Sequence, residues 1–210
     1  MRPPSPRVSS RKQPKQARST ELVSAVLDAA IQVLTAEGAS RFTTARVAER
    51  AGVSVGSLYQ YFPNKAAILF RLQSDEWRRT SDLLRAILED SSTPPLDRLC
   101  ALVHAFIRSE CEEAPVRVAL NDAAPLYRDA PEAIEARAAG SRIFRQFMDE
   151  ALPTIGARER ILAGELIKTT LSEIGSSFSQ TPRTPAEIDA YSDALADMLS
   201  AYLERLMRRG

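Results

Sequence analysis

The chain has 210 residues, 44% of them hydrophobic and 26% charged, the composition of a globular protein with enough residues for a sizeable core. One histidine and two cysteines are too few for a four-ligand zinc site, and a Ser-His-Asp triad would have only His104 to draw on. No metal, cofactor or catalytic residue is therefore expected. No stretch of about 18 residues is both apolar and uncharged, and the N-terminus has no apolar signal core, so the expectation is a cytoplasmic protein without a membrane partner.

The 28 basic and 27 acidic groups cancel to a net charge of +1, but they are unevenly spread. Residues 1–71 carry 11 basic and 4 acidic groups, net +7; residues 72–210 carry 17 and 23, net −6. A basic front suggests that this end meets a polyanion.

Residues 1–18 hold Arg2, Arg7, Arg11, Lys12, Lys15 and Arg18 with no acidic group, and four of the 13 prolines. Few apolar residues offset the cost of ordering them, so 1–18 reads as a flexible basic arm. From residue 19 the pattern is helical, with Leu22, Val23, Val26, Leu27, Ala30, Ile31 and Leu34 on one stripe. Gly38 stops it. Two short segments follow, at 44–51 and 55–61, joined by Gly52-Val53-Ser54 and closed by Pro63. A long helix is expected over 65–90 and another from Pro95 to about residue 113. Three prolines break 115–130 into short helical turns. Further helices are expected over 132–152, 157–179 and 185–208. No segment alternates with period two, so the fold class is all-α.

The segment 43–65 carries the chemistry. Val47, Ala48, Ala51, Val53, Leu58 and Phe62 clamp two short helices together, Gly52 supplies a positive φ for the turn, and Ser54 is placed to cap the second helix. That is a helix-turn-helix, whose second helix enters the DNA major groove. Thr43 and Thr44 stand at the first helix's start, where they can hold a phosphate. Val55, Gly56, Ser57, Tyr59 and Tyr61 are expected on the outer side of the second helix, with Lys65 as a phosphate clamp. Gly56 lets the backbone approach the bases, and Val55 suits a thymine methyl. The plain alternative is a helical hairpin with a solvated face. The basic arm likewise reads either as a minor-groove contact or as a solvated tail.

These residues resemble the DNA-binding signature of the tetracycline-repressor family. The matching positions are Thr43-Thr44, Val47-Ala48, Ala51-Gly52-Val53-Ser54, Leu58-Tyr59, Phe62 and Lys65. The resemblance is strong over residues 19–70 and rests on helix count and length beyond them. It implies a three-helix DNA-binding domain at 19–65 and a helical effector-binding and dimerisation domain at 66–210. It further implies double-stranded operator DNA as partner, repression relieved by a small effector, and DNA contacts at Thr44, Val55, Gly56, Ser57, Tyr59, Tyr61 and Lys65. An activator or ligand-independent regulator of the same fold, or a small helical enzyme with a basic arm, are the alternatives.

In the last two helices Leu166, Ile167, Leu171, Ile174, Phe178, Tyr191, Leu195, Met198 and Tyr202 form apolar stripes at near-heptad spacing. They suit either a four-helix homodimer interface or packing within one subunit, and the resemblance favours the dimer. A mainly apolar effector pocket is expected among Trp77, Leu102, His104, Phe106, Asn121, Tyr127, Phe144, Phe147 and Met148. Cys100 and Cys111 lie 11 positions apart on one helix, roughly 16 Å, too far for a bridge.

Overall fold

The computed structural model describes residues 8–9, 17–127 and 129–209. Among them are nine α-helices, one 3-10 turn and no strand. The helices are α1 (Ala17–Arg41), α2 (Thr44–Arg50), α3 (Val55–Tyr61), α4 (Lys65–Leu88), α5 (Pro95–Glu112), α6 (Ala114–Ala123), α7 (Pro131–Ala151), α8 (Ala157–Phe178) and α9 (Pro185–Met207), with the 3-10 turn at Ala124–Leu126. Their ends follow the chain's punctuation. Gly38 takes φ +75° and breaks the regular geometry of α1 near its end. Prolines open α5 and α9 in the first turn, where the missing N–H costs nothing. Thr184 and Glu187 close a reciprocal capping box on α9.

The segment after Pro115 differs from expectation. It forms α6, a ten-residue helix rather than a run of short turns. Pro115 falls in the first turn of that helix and so does not break it.

The chain packs as two compact units. One comprises Met1–Trp77 with Pro115–Arg137, the other Arg78–Ala114 with Ala138–Gly210. Packing thus divides α4 between Trp77 and Arg78, not at residue 65, and assigns α6 to the unit containing α1–α3.

In the first unit Val26, Ala30 and Leu34 of α1 are sealed with Phe42, Val47, Ala48, Leu58, Phe62, Ile68, Leu69 and Leu120. Helix α1 is long and apolar enough, by length and composition, to cross a membrane; here its apolar face is the core of this unit. Most of the expected arm lies outside the described residues. Val8, which belongs to it, is only 2% exposed and joins this core, so that position is not a solvated one. A buried polar group ties α4 to α6. Glu76 pairs with Arg117 at 2.8 Å, the Gln73 amide donates to Glu76 at 2.8 Å, and the Tyr127 hydroxyl donates toward Gln73 Oε1 (3.0 Å) and the Leu120 carbonyl (2.9 Å). Buried charge is tolerated because it is paired.

In the second unit Leu99, Val103 and Ile107 of α5 pack with Phe147 and Leu152, Ala163 and Ile167, and Leu199 and Leu203. Helices α5 and α9 run antiparallel, pinned by His104–Asp193 at 3.0 Å and Arg108–Asp189 at 2.9 Å. A Cβ added at Gly175 of α8 would lie 2.9 Å from the Phe106 ring and 3.0 Å from Glu110, so α5 and α8 meet closely only because of that glycine. Arg98, 1% exposed, donates to the Leu88 carbonyl at 2.6 Å and pairs with Glu150, fastening the end of α4 to α5 and α7.

Candidate nucleic-acid interface

Seven residues are too few to hold a helix alone, so α2 and α3 depend on caps and packing. The Thr43 hydroxyl accepts from the Arg46 amide at 3.3 Å and caps α2. Gly52 takes φ +66° in the turn, and the Val53 amide returns to the Ala48 carbonyl at 3.0 Å. Ser54 caps α3, its hydroxyl accepting from the Ser57 amide at 3.0 Å and lying 2.8 Å from the Ser57 hydroxyl. Val47, Ala48 and Leu58 are fully buried beneath the turn. The helix-turn-helix expected from the sequence is thus assembled locally, with α4 starting at Lys65, whose side chain is half-buried.

The outward face of α3 follows from 3.6 residues per turn. Leu58 points inward, so Gly56, Tyr59 and Gln60 turn outward, and Val55, the first residue of the helix, is exposed as well. Val55 and Tyr59 are 39% and 40% exposed, and Gly56 and Gln60 are exposed as well. The Tyr59 hydroxyl lies 3.1 Å from that of Thr44, linking the start of α2 to the middle of α3. One expectation fails. Tyr61 is 8% exposed and belongs to the core, not to the outer side. It follows Leu58 by three positions and so falls on the inward face. Gln60, missed from the sequence, takes the outward place beside Tyr59.

The expected effector-pocket residues are divided between the units. Trp77, Asn121 and Tyr127 belong to the first, where Asn121 is exposed and Tyr127 is held by its two hydrogen bonds. In the second unit Leu102 and Phe147 are closed core and Phe106 packs against it. Phe144 and Met148 border a cavity of about 60 Å³ between α7 and α8. His104 borders an open groove of about 570 Å³ beside Arg79, Leu83 and Arg108 of α4 and α5. Neither unit holds all the residues expected to line that pocket.

The expected dimer residues also separate. Ile167, Leu171 and Leu195 are buried in their own subunit, which corrects their placement at an interface. Ile174, Phe178 and Tyr202 are partly buried against that core, and Phe178 stacks on Tyr191 at 3.9 Å. Leu166, Tyr191 and Met198 are exposed, together with Ile161 and Leu162, which lie outside the expected interface set. Cys100 and Cys111 are free, and burial first, then Glu110 and Glu112, push the Cys111 thiol up.

Residues 26–72 match the family model described as bacterial regulatory proteins, tetR family, and residues 94–206 match the tetracyclin repressor-like C-terminal domain. The chain is 28% identical over 132 residues to the HTH-type transcriptional repressor KstR of Rhodococcus jostii, covering 61% of this chain and 60% of that protein. It is 35% identical over 83 residues to the nucleoid occlusion factor SlmA of Vibrio campbellii, covering 39% and 42%. The chain thus spans less than two thirds of the length of these curated relatives. Among solved structures it shares its fold with the fatty acid degradation regulator FadR from Bacillus halodurans, with a TM-score of 0.68 at 20% identity over 90% of this chain and 97% of that one. FadR from Bacillus subtilis in complex with stearoyl-CoA aligns with a TM-score of 0.67 at 17% identity, over 84% and 97%. With both halves matched, and the second match alone covering more than half its length, the chain belongs to the tetracycline-repressor family of bacterial regulatory proteins.

Proposed function

We propose that the protein is a cytoplasmic, sequence-specific DNA-binding repressor that acts as a homodimer and leaves its operator when a small, mainly apolar effector binds. The observation that carries the reading is the outward face of α3, where large exposed side chains stand beside a hydroxyl pair on a capped helix-turn-helix. Such a face reads base edges while hydroxyls and Lys65 hold phosphates. The net +7 of residues 1–71 supports it. A two-fold dimer would place two such faces about 34–36 Å apart, one helical turn of DNA. The exposed apolar residues of α8 and α9 are the surface proposed for that dimer. Helix α4 is continuous through both packing units and is the element proposed to carry the effector's influence. The stearoyl-CoA complex of the Bacillus subtilis neighbour puts long acyl chains first among effectors to screen.

The test is fluorescence anisotropy of the full chain on DNA flanking its own gene, with a thermal-shift screen of acyl compounds. Expected are binding that weakens steeply with salt, and an effector that raises the melting temperature while releasing DNA. Lys65→Ala should flatten the salt slope by about one ion. Folded protein that binds no DNA at low salt would overturn the reading.

A further inference from the structure

Helices α7 and α8 face each other along two rows of residues spaced by four, the spacing that puts side chains on one helix face. Ser141, Arg145 and Asp149 form the row on α7, and Arg160, Gly164 and Lys168 the row on α8. The rows run antiparallel. Asp149 meets Arg160 at 2.9 Å, and Gly164 lies against Met148 and Phe144. Arg145 therefore stands opposite the glycine, and Ser141 toward Lys168. Phe147, Ala163 and Ile167 belong to the core with α5, whereas these rows border the cavity of about 60 Å³ and open between the exposed Arg145 and Glu165.

One end of this crevice is satisfied internally. Arg160 pairs with Asp149 and also donates to the Leu152 and Ile155 carbonyls at 3.2 and 2.7 Å. The middle is not. Where an acidic partner for Arg145 would stand, α8 has a glycine. Among the described residues neither Arg145 nor Lys168 has an ion pair or a hydrogen bond, although Lys168 is half-buried. A cation drawn partly out of water without an anion costs free energy. Glu165 leaves the pair of cations one charge in excess. The floor beneath them is apolar, made by the buried Phe144 and Met148 with Ile161 at its edge. A Cβ at Gly164 would stand over that floor, 3.2 Å from Met148 and 3.6 Å from the Phe144 ring. Glycine weakens a helix relative to alanine, and here it keeps the crevice open. The volume is well below the roughly 300 Å³ of a pocket for a drug-sized ligand and less than half of the roughly 150 Å³ that admits benzene. A monoanion of a few heavy atoms with a short apolar end matches the charge, the floor and the size.

We propose that the crevice between α7 and α8 binds a short-chain carboxylate of about two to four carbons. The Arg145 guanidinium and the Lys168 ammonium share its carboxylate through charge-assisted hydrogen bonds, and its alkyl end rests on Phe144, Met148 and Ile161. Such a site is independent of operator binding and lies apart from His104 and Asn121, the polar residues expected to anchor an effector.

The experiment titrates the full chain with sodium propionate by calorimetry and by thermal melting, with sodium chloride at matched ionic strength as reference. Expected are saturable binding in the millimolar range and a rise in the melting midpoint that chloride does not give. Arg145→Gln and Lys168→Gln, both changes at the rim, should each weaken propionate about tenfold and leave the unliganded protein folded. Gly164→Ala should also weaken it by occupying the floor. Arg158→Gln, exposed on α8 outside the crevice, should bind as wild type does. Formate keeps the carboxylate and lacks the alkyl end, so it should bind about tenfold more weakly than propionate. Equal effects of propionate and chloride would overturn the site. Propionate binding that survives both glutamine substitutions would overturn it too. Formate binding as tight as propionate would remove the apolar floor from the recognition and with it the short-chain assignment.

Discussion

Tyr127 shows what a single buried hydroxyl decides. From the sequence it suited an effector pocket; in the structure its hydroxyl serves Gln73 and the Leu120 carbonyl, and its ring lies 6.1 Å from that of Phe70. Burial, with Glu76 nearby, pushes its phenol far above the ordinary value near 10. The folded state therefore favours the neutral phenol, so the stabilisation is complete below about pH 10 and declines as pH rises above it. Tyr127→Phe is expected to cost about 1 kcal/mol at pH 8 and to remove part of the alkaline decline. Urea melts at pH 8 and pH 10.5 check this; a variant that loses stability with pH as steeply as wild type would contradict it.

At the scale of elements, much was legible because chain punctuation is local chemistry. Gly52, Ser54, Pro95, Pro185 and the Thr184–Glu187 box each announce a boundary that needs no tertiary knowledge. Local pattern does not always determine side. The resemblance implies a DNA contact at Tyr61, yet Tyr61 falls three positions after buried Leu58 and is itself buried. On α8 and α9, two apolar stripes run side by side, and periodicity alone cannot say which meets the subunit's own core. Ile167, Leu171 and Leu195 do; Ile161, Leu162, Leu166 and Met198 do not. The second set gives an element-scale prediction for the proposed dimer. Leu162→Glu with Leu166→Glu should leave the subunit's fold intact, both side chains being about half exposed or more. It should halve the mass seen by sedimentation and weaken DNA binding. An unchanged mass would place the interface elsewhere.

For the whole molecule, the sequence disclosed the uneven charge but not how the chain is partitioned, because α6 joins the first unit through buried partners such as Glu76 and Arg117 that lie 41 positions apart. Acid sensitivity is also a property of the whole. Hydrogen bonds from Ser92 and Thr93 hold the Asp90 carboxyl below the usual range. Arg98 does the same for Glu150, and the Thr184 backbone amide and side chain for Glu187. All three residues belong to the second unit. Each lowered carboxyl contributes stability above the ordinary carboxylate range and loses it as pH falls through the folded value. Thermal melts from pH 6 to pH 3 should therefore show a falling midpoint, less steep in Glu150→Gln. An equal slope in that variant would remove Glu150 from the account.

The brevity of α2 and α3 has a genetic consequence. Two seven-residue helices keep their places through Val47, Ala48 and Leu58, side chains sealed from solvent. On the proposed DNA-binding reading, a screen for alleles that no longer occupy DNA will therefore recover substitutions at these hidden positions as readily as at Val55 or Tyr59. The mutational target is larger than the contact surface, and cellular abundance separates the two kinds of allele: core substitutions lower the amount of protein, whereas substitutions on the outward face leave it unchanged.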